Sequence, residues 1–213
     1  MRRPNILIGI PSPHGREVPI TRSLVYIAMS QARLADVSWW NHEGYQVDAA
    51  RTRMAEFALE KGHTHILYLD DDIVPPPFTV DRMVNWHYPV ITGAYERRTG
   101  GLAQGMFING ESLEWKSLAW PLPEGEIGLV TASGMGCMMV DTRIFTRLST
   151  PWFYYSKDGS EDMYFCRKVG RELGIQIMLD PVIECGHELT KVIKPSVTAS
   201  DIPADKITAE VTP

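Results

Sequence analysis

Three consecutive carboxylates, Asp70-Asp71-Asp72, follow directly on the apolar run at 65–69, HILYL. Like charges at this spacing repel one another, and each gains from a bound cation or proton. A hard divalent metal accepts oxygen ligands and removes that repulsion. On an extended backbone side chains alternate, which predicts Asp70 and Asp72 on one side and Asp71 on the other. The plainer alternative is a solvated acidic turn with Asp72 capping the next helix. Two further clusters carry titratable groups. Glu161-Asp162 opens a helical stretch, where the macrodipole favours acidic side chains in their ionised form. That suits a catalytic base as well as simple helix stabilisation. Cys185-Gly186-His187-Glu188 follows a late apolar run. Imidazole ligates Mn-like ions well, and one His with two Asp suits an open metal site, though a lone His at a strand end is more commonly a surface or satisfied core residue. Arg51 and Arg53, at the head of a helix, carry charged forks that suit a pyrophosphate, or else form an ordinary exposed face.

These residues need elements to position them. Residues 5–10 form a short Ile-rich run that ends at Pro11-Ser12, read as a buried strand feeding a loop. Apolar spacing predicts a helix over 20–34. After Trp39-Trp40 and a polar turn, Asp48 stands where a helix N-cap belongs. Ala50, Met54, Phe57, Ala58 and Lys61 share one face, and Gly62 ends the helix. Residues 65–69 are a strand that runs into the three aspartates. Pro75-Pro76-Pro77 opens a helix over 78–86, and 89–93 is a further strand. Short antiparallel strands and loop are expected over 96–129. Asp141 is expected to cap a short helix ending at Leu148. Ser160 is expected to cap the last helix, with Met163, Cys166, Val169 and Leu173 inward and Gly174 as terminator. A final strand is expected over 175–183, and the polar stretch 189–213 reads as a surface tail. This order predicts an α/β/α sandwich with a mostly parallel sheet and a short antiparallel extension.

The 213 residues suit one compact domain. Apolar residues at 44% and charged residues at 22% exclude disorder as the main state. A formal charge of -5 disfavours sequence-independent nucleic-acid binding, which relies on basic surface. Cys137, Cys166 and Cys185 lack zinc-finger spacing and read as small buried residues in a reducing compartment. Because no uncharged apolar run approaches the length of a membrane span, a cytoplasmic location is expected.

Taken together, ILYLDDDIVPPP (66–77), SGMGCMMVDTRIF (133–145) with PWF (151–153), SEDMYFCRKVGRELG (160–174) and ECGH (184–187) resemble the GT-A glycosyltransferases, the nucleotide-sugar-dependent family with an Asp-X-Asp motif. The likeness covers 4–188, most of the chain. It implies a catalytic domain over 1–188, with a nucleotide-binding half near 1–95 and an acceptor-side half near 96–188. It also implies Mn²⁺ or Mg²⁺ as cofactor and a nucleoside-diphosphate sugar as donor, with hexosyl or pentosyl transfer as the reaction. By position, Asp70 and Asp72 match the Asp-X-Asp pair: Asp72 for the metal on the diphosphate, Asp70 for the ribose or metal, with Asp71 beside them on the nucleotide. His187 matches the His that completes the metal site. Pro11 and Ser12 match the loop that receives the base, and Arg51 a basic contact to the nucleotide. Asp162, with Glu161, matches the acidic pair whose second member is the base in inverting members. The Gly134-Met135-Gly136 backbone is expected to approach the donor sugar.

The chain is near a minimal catalytic unit, so the acceptor pocket is expected from 115–123, 152–155 and the tail. The acceptor is open among a saccharide, a protein, a small molecule and a modified nucleic-acid base. Two rivals remain. A nucleotidyltransferase would want a Gly-rich, basic loop after the first strand, where this chain has PSPHGRE. A non-catalytic module that binds nucleotide-sugars or glycans would show binding without turnover.

Overall fold

The computed structural model describes residues 3–12, 31–43, 46–97, 101–107, 115–117, 128–156 and 159–187. Strand β1 (Asn5–Ser12) is followed by β2 (Asp36–Glu43), helix α1 (Val47–Glu60), β3 (His65–Leu69), β4 (Ile73–Val74), α2 (Thr79–Asn85) and β5 (Val90–Ala94). Next come β6 (Gln104–Phe107), β7 (Trp115–Ser117), β8 (Gly128–Val130), β9 (Ala132–Ser133), β10 (Cys137–Asp141) and α3 (Arg143–Arg147). The described chain closes with α4 (Glu161–Leu173), β11 (Ile177–Glu184) and β12 (Gly186–His187).

The central seven-stranded sheet has the order β2-β1-β3-β10-β5-β11-β8. Strands β2, β1, β3, β5 and β11 run one way, while β10 and β8 run against them. Both faces are covered, so the strands read as continuous apolar runs rather than alternating ones. In β1, Leu7 joins the core layer built with Met54, Ala55 and Ala58 of α1, Phe145 of α3 and Phe165 of α4. Ile6, Ile8 and Ile10 face the other layer, with Val80, Met83 and Val84 of α2. The expected α/β/α sandwich and its mostly parallel sheet are what the chain forms. Small antiparallel sheets, β12-β4 and β7-β6-β9, sit beside it. The stretches 1–95 and 96–188 interleave, since β10 lies between β3 and β5.

Most expected elements form within a residue or two of their predicted limits. Strand β3 spans the predicted residues, Gly62 follows α1, and Gly174 closes α4 at φ 67°, a left-handed conformation natural to glycine. Three local readings are corrected. Trp39 and Trp40 lie inside β2, a strand the sequence did not suggest, because this edge strand pairs on one side only and needs no apolar run. The α1 cap is Gln46, and Asp48 falls in the first turn with its carboxylate accepting from the Ala49 amide at 2.8 Å. In α4 the buried stripe is Glu161, Phe165, Cys166 and Val169, leaving Met163 half-buried. Cys166 and Val169 are buried as expected, and Glu161 is buried in its ion pair with Arg51. Asp141 stands one residue ahead of the α3 cap, Thr142, and its carboxylate accepts the Arg143 amide at 2.9 Å. The expected helix over 20–34 falls outside the described residues apart from its last four. The tail at 189–213 lies outside them too, as does most of the stretch 108–127. Among the described residues, no helix is long and apolar enough to cross a membrane.

Candidate active site

The parallel strands β1, β3, β5 and β11 all point their carboxyl ends at one rim, the edge where ligands of open α/β sheets bind. There β1 delivers Ser12, β3 delivers Asp70, β5 delivers Tyr95 and Glu96, and β11 leads into His187. The amino end of α4 brings Glu161 and Asp162 to the same rim.

The three aspartates do not continue as extended chain. The Ile73 amide donates to the Asp70 carbonyl at 3.1 Å, closing a tight turn that sends each carboxylate to a different partner. Asp71 accepts the Ser12 hydroxyl at 3.2 Å, so the predicted base-binding loop is tied to the acidic turn. Ser12 itself is buried.

Asp70 accepts from Arg51 Nη2 at 2.8 Å. Arg51 Nη1 pairs with Glu161, and the Tyr68 hydroxyl donates to the Arg51 carbonyl at 3.1 Å. Arg51 is only 2% exposed. Its guanidinium is therefore a strut joining α1, the end of β3 and the start of α4, beneath the surface a nucleotide would touch. Arg51 was expected as a basic contact to a nucleotide; its Nη1 and Nη2 each bond a carboxylate of the chain, and Nε is buried without a hydrogen-bond partner among the described residues. Arg53 is exposed on the same helix.

The electrostatics of this cluster are out of balance. Burial opposes the Arg51 charge, but Asp70, Glu161 and Asp162 outweigh it and raise its pKa above the ordinary value. Burial also raises Asp70 and Glu161 above the usual carboxylate range, against the pull of Arg51. For Glu161 this overrides the helix field, which was expected to favour ionisation. Three carboxylates thus surround one fixed cation. Tyr155 hydrogen-bonds Glu161, and its own pKa is raised by burial and then by that carboxylate.

Asp72 has a different partner. The β12-β4 ladder sets His187 opposite Ile73 and returns a residue 115 positions away to the acidic turn. His187 Nε2 lies 3.3 Å from Asp72 Oδ2, and Nδ1 lies 2.7 Å from the Glu96 carbonyl oxygen. A carbonyl can only accept, so Nδ1 carries a proton. Nε2 then meets the Asp72 carboxylate either through a second proton or through a cation that both groups ligate. Neighbouring ligands of one octahedral ion stand about 3 Å apart, and a second ring nitrogen anchored to a carbonyl is the usual support of a metal-bound His. Asp72 and His187 therefore fit a divalent ion as a two-donor site. Among the described residues no set of three or more His, Cys, Asp or Glu is grouped for a metal. The predicted trio is split, with Asp70 drawn toward Arg51.

Asp162 anchors one oxygen and leaves the other open. Oδ1 accepts the Ser160 hydroxyl and, at 2.7 Å, the Met163 amide. Oδ2 has no bonded partner among the described residues. Gly134 and Gly136 are explained by a residue that the sequence reading passed over. The Tyr95 hydroxyl accepts the Gly136 amide at 2.9 Å. A Cβ at Gly134 would stand 2.2 Å from that hydroxyl, and one at Gly136 2.9 Å from the Tyr95 ring. The space these glycines keep free is filled by Tyr95, where the approach of a donor sugar was expected. The available signal was a tyrosine immediately after the apolar strand VITGA.

No protein-family model matches the chain, and no curated protein matches it by sequence. Among solved structures, A197 from STIV aligns over 87% of this chain and 86% of its own, with TM-score 0.61 and 18% identity. A protein from Desulfovibrio desulfuricans G20, provisionally assigned as a nucleotide-diphospho-sugar transferase, aligns over 85% of this chain and 80% of its own, with TM-score 0.45 and 12% identity. An apo UDP-glucose pyrophosphorylase aligns over 87% and 92%, with TM-score 0.47 and 10% identity. At these identities the likeness is one of fold, and A197 carries it.

Proposed function

We propose that the chain is a glycosyltransferase that moves a sugar from a nucleoside-diphosphate sugar to an acceptor hydroxyl, with inversion. The observation that carries this reading is the Asp72–His187 pair, with Oδ2 and Nε2 3.3 Å apart, set at the same sheet rim as Asp162. Asp72 and His187 would hold Mn²⁺ or Mg²⁺, and such an ion would supply positive charge for a departing diphosphate. Ser12 and Pro11 form the wall against the base, and the Ser12–Asp71 hydrogen bond keeps that wall in register with the acidic turn. Asp70 keeps its second oxygen for the ribose, while Arg51 fixes the first. Asp162 takes the acceptor proton at Oδ2, with Oδ1 clamped by Ser160 and the Met163 amide. Glu161 does not act as an acid or base; with Arg51 and Tyr155 it holds the start of α4 still, and so fixes where Asp162 stands.

Thermal unfolding with Mn²⁺ and a panel of nucleoside diphosphates, followed by donor consumption, tests the reading, since a ligand of the folded state raises Tm by mass action. A nucleotide-dependent shift that requires Mn²⁺ is expected, and Asp72→Ala should abolish it while leaving the fold intact. Asp162→Asn should keep the shift and lower transfer by about 10²–10⁴-fold. An unchanged shift in Asp72→Ala, or full transfer in Asp162→Asn, would sink the assignment. Release of pyrophosphate from a nucleoside triphosphate plus a sugar phosphate would instead make the chain a nucleotidyltransferase.

A further inference from the structure

Away from the rim, the outer face of α4 forms one side of an open cavity of about 530 Å³, the size of a small-ligand site. Its wall carries Arg167, Lys168 and Arg171 with Tyr154 and Tyr164, and Glu172 as the opposing charge. Arg167 and Arg171 also line a second cavity of about 260 Å³ on their other side, so these two side chains divide two hollows. Among the described residues, three cations line this wall against one carboxylate, in a chain whose formal net charge is -5. Glu172 pairs with Lys168 at 3.1 Å and also accepts the Ser149 amide at 2.9 Å and hydroxyl at 2.8 Å, so the remaining positive charge is that of the two arginines. Tyr154 is 52% exposed and packs edge-on against Tyr164, with ring centroids 5.9 Å apart. Lys168 Nζ stands 5.6 Å from the Tyr164 ring centroid.

We propose that this groove binds an anionic saccharide and, on the glycosyl-transfer reading above, that this saccharide is the acceptor. An exposed tyrosine offers a flat apolar face to a sugar ring. Guanidinium forks take carboxylate or phosphate in two-pronged contacts. From Met163 to Arg171 the groove follows the helix for about 12 Å, the span of a short oligosaccharide and much less than a nucleic-acid track. It starts at Gly159 and Met163, the immediate neighbours of Ser160 and Asp162. The loop before α4 links the two places: Tyr154 lines the groove, and the next residue, Tyr155, bonds Glu161 at the rim. The charge pattern then sets orientation. An acidic sugar is drawn to the arginines and repelled by the carboxylate rim, so its uncharged hydroxyl end is the one presented to Asp162.

Titration calorimetry on the full chain tests the site with trigalacturonate, glucose 6-phosphate, neutral maltotriose and a thymidine tetranucleotide. At least one acidic sugar should bind about tenfold or more tighter than maltotriose, and its affinity should fall with salt; carboxylate and phosphate arms show which anion is preferred. Arg171→Glu, a change at an exposed position, should weaken that binding by a further tenfold or so and leave nucleoside diphosphate binding with Mn²⁺ unchanged. Arg171→Gln should give a smaller loss in the same direction. Equal binding of neutral and acidic sugars, no effect of either variant, or tighter binding of the tetranucleotide would overturn the proposal. Acidic-sugar binding without any Mn²⁺-dependent nucleotide binding would keep the groove and remove the glycosyl-transfer reading; the reverse result would remove the groove alone.

Discussion

Two carboxylate sites in this molecule are built from similar parts to opposite effect. Asp180, in β11, is fully buried and accepts from Arg82 Nε at 2.5 Å, Arg82 Nη2 at 3.0 Å, Trp86 Nε1 at 2.6 Å and the Val182 amide at 3.0 Å. Every strong direction around it is filled, and it ties α2 to the sheet. At the rim, Asp70 and Glu161 share the cation Arg51, Asp162 stands beside them, and Asp72 meets His187. The first arrangement gives one carboxylate a full set of donors, while the second divides one guanidinium between two carboxylates. Buried charge is tolerated where its partners are complete, so the two places differ in how far each carboxylate depends on one cation.

The comparison breaks most severely at Arg51. Arg51→Met leaves two carboxylates without their cation and should cost about 3–5 kcal/mol in urea unfolding at neutral pH. Asp70 and Glu161 already titrate above their ordinary values and would rise further. A group whose folded pKa is raised disfavours the folded state as pH climbs through that pKa, so the loss should shrink on acidification. A loss that is equal at pH 5 and pH 7.5 would contradict the shared-cation account. Asp180→Asn should cost less, about 2 kcal/mol, because Arg82 is a third exposed and can turn to water. It should leave Mn²⁺-dependent nucleotide binding unaltered, whereas Arg51→Met should weaken that binding by displacing Asp70.

A smaller effect probes the packing beneath the rim. Gly134→Ala places a methyl against the Tyr95 hydroxyl and should destabilise by about 1–3 kcal/mol. Tyr95→Phe in the same chain should recover part of this, since the hydroxyl is the nearest atom. Failure of the second change to help would mean the glycine is required by its backbone rather than by Tyr95. The smallest effect lies far from the site. Burial lowers the pKa of His63, whose Nε2 is 2.9 Å from the Ser38 hydroxyl oxygen. The unfolded chain therefore takes up the proton first, and stability present above about pH 6.5 is lost as pH falls below it. In His63→Gln the decline of Tm with acidification should be shallower; an identical slope would assign it to His42 and His65, which burial also lowers.

Short-range physics makes much of the molecule legible in its residue order. Strand β3 is an apolar run long enough to need cover on both faces, and it could only end at three charges. Proline before α2, glycine after α1 and α4, and acids at the head of α4 mark helix ends by local chemistry. Strand β2 was hidden for the converse reason: Trp39 and Trp40 belong to an edge strand, where pairing on one side decides the conformation and the residues carry little signal. Within the site, the residue types and the strand end were readable, and the partners were not. That Arg51 lies beneath the rim, that Asp70 parts from Asp72, and that Tyr95 takes the space above Gly134 and Gly136 follow from contacts between segments up to 115 residues apart.

The sequence by itself determined the alternation of buried strands and helices, the acidic turn at a strand end and the charged head of α4, because these depend on neighbours in the chain. Only the tertiary structure decided which carboxylate meets which base. His187 reaches Asp72 through the β12-β4 ladder, and Glu161 reaches Arg51 by a side-chain ion pair from the start of α4 to α1. Such pairings depend on three-dimensional closure, in which a distant segment offers the charge that a local one lacks.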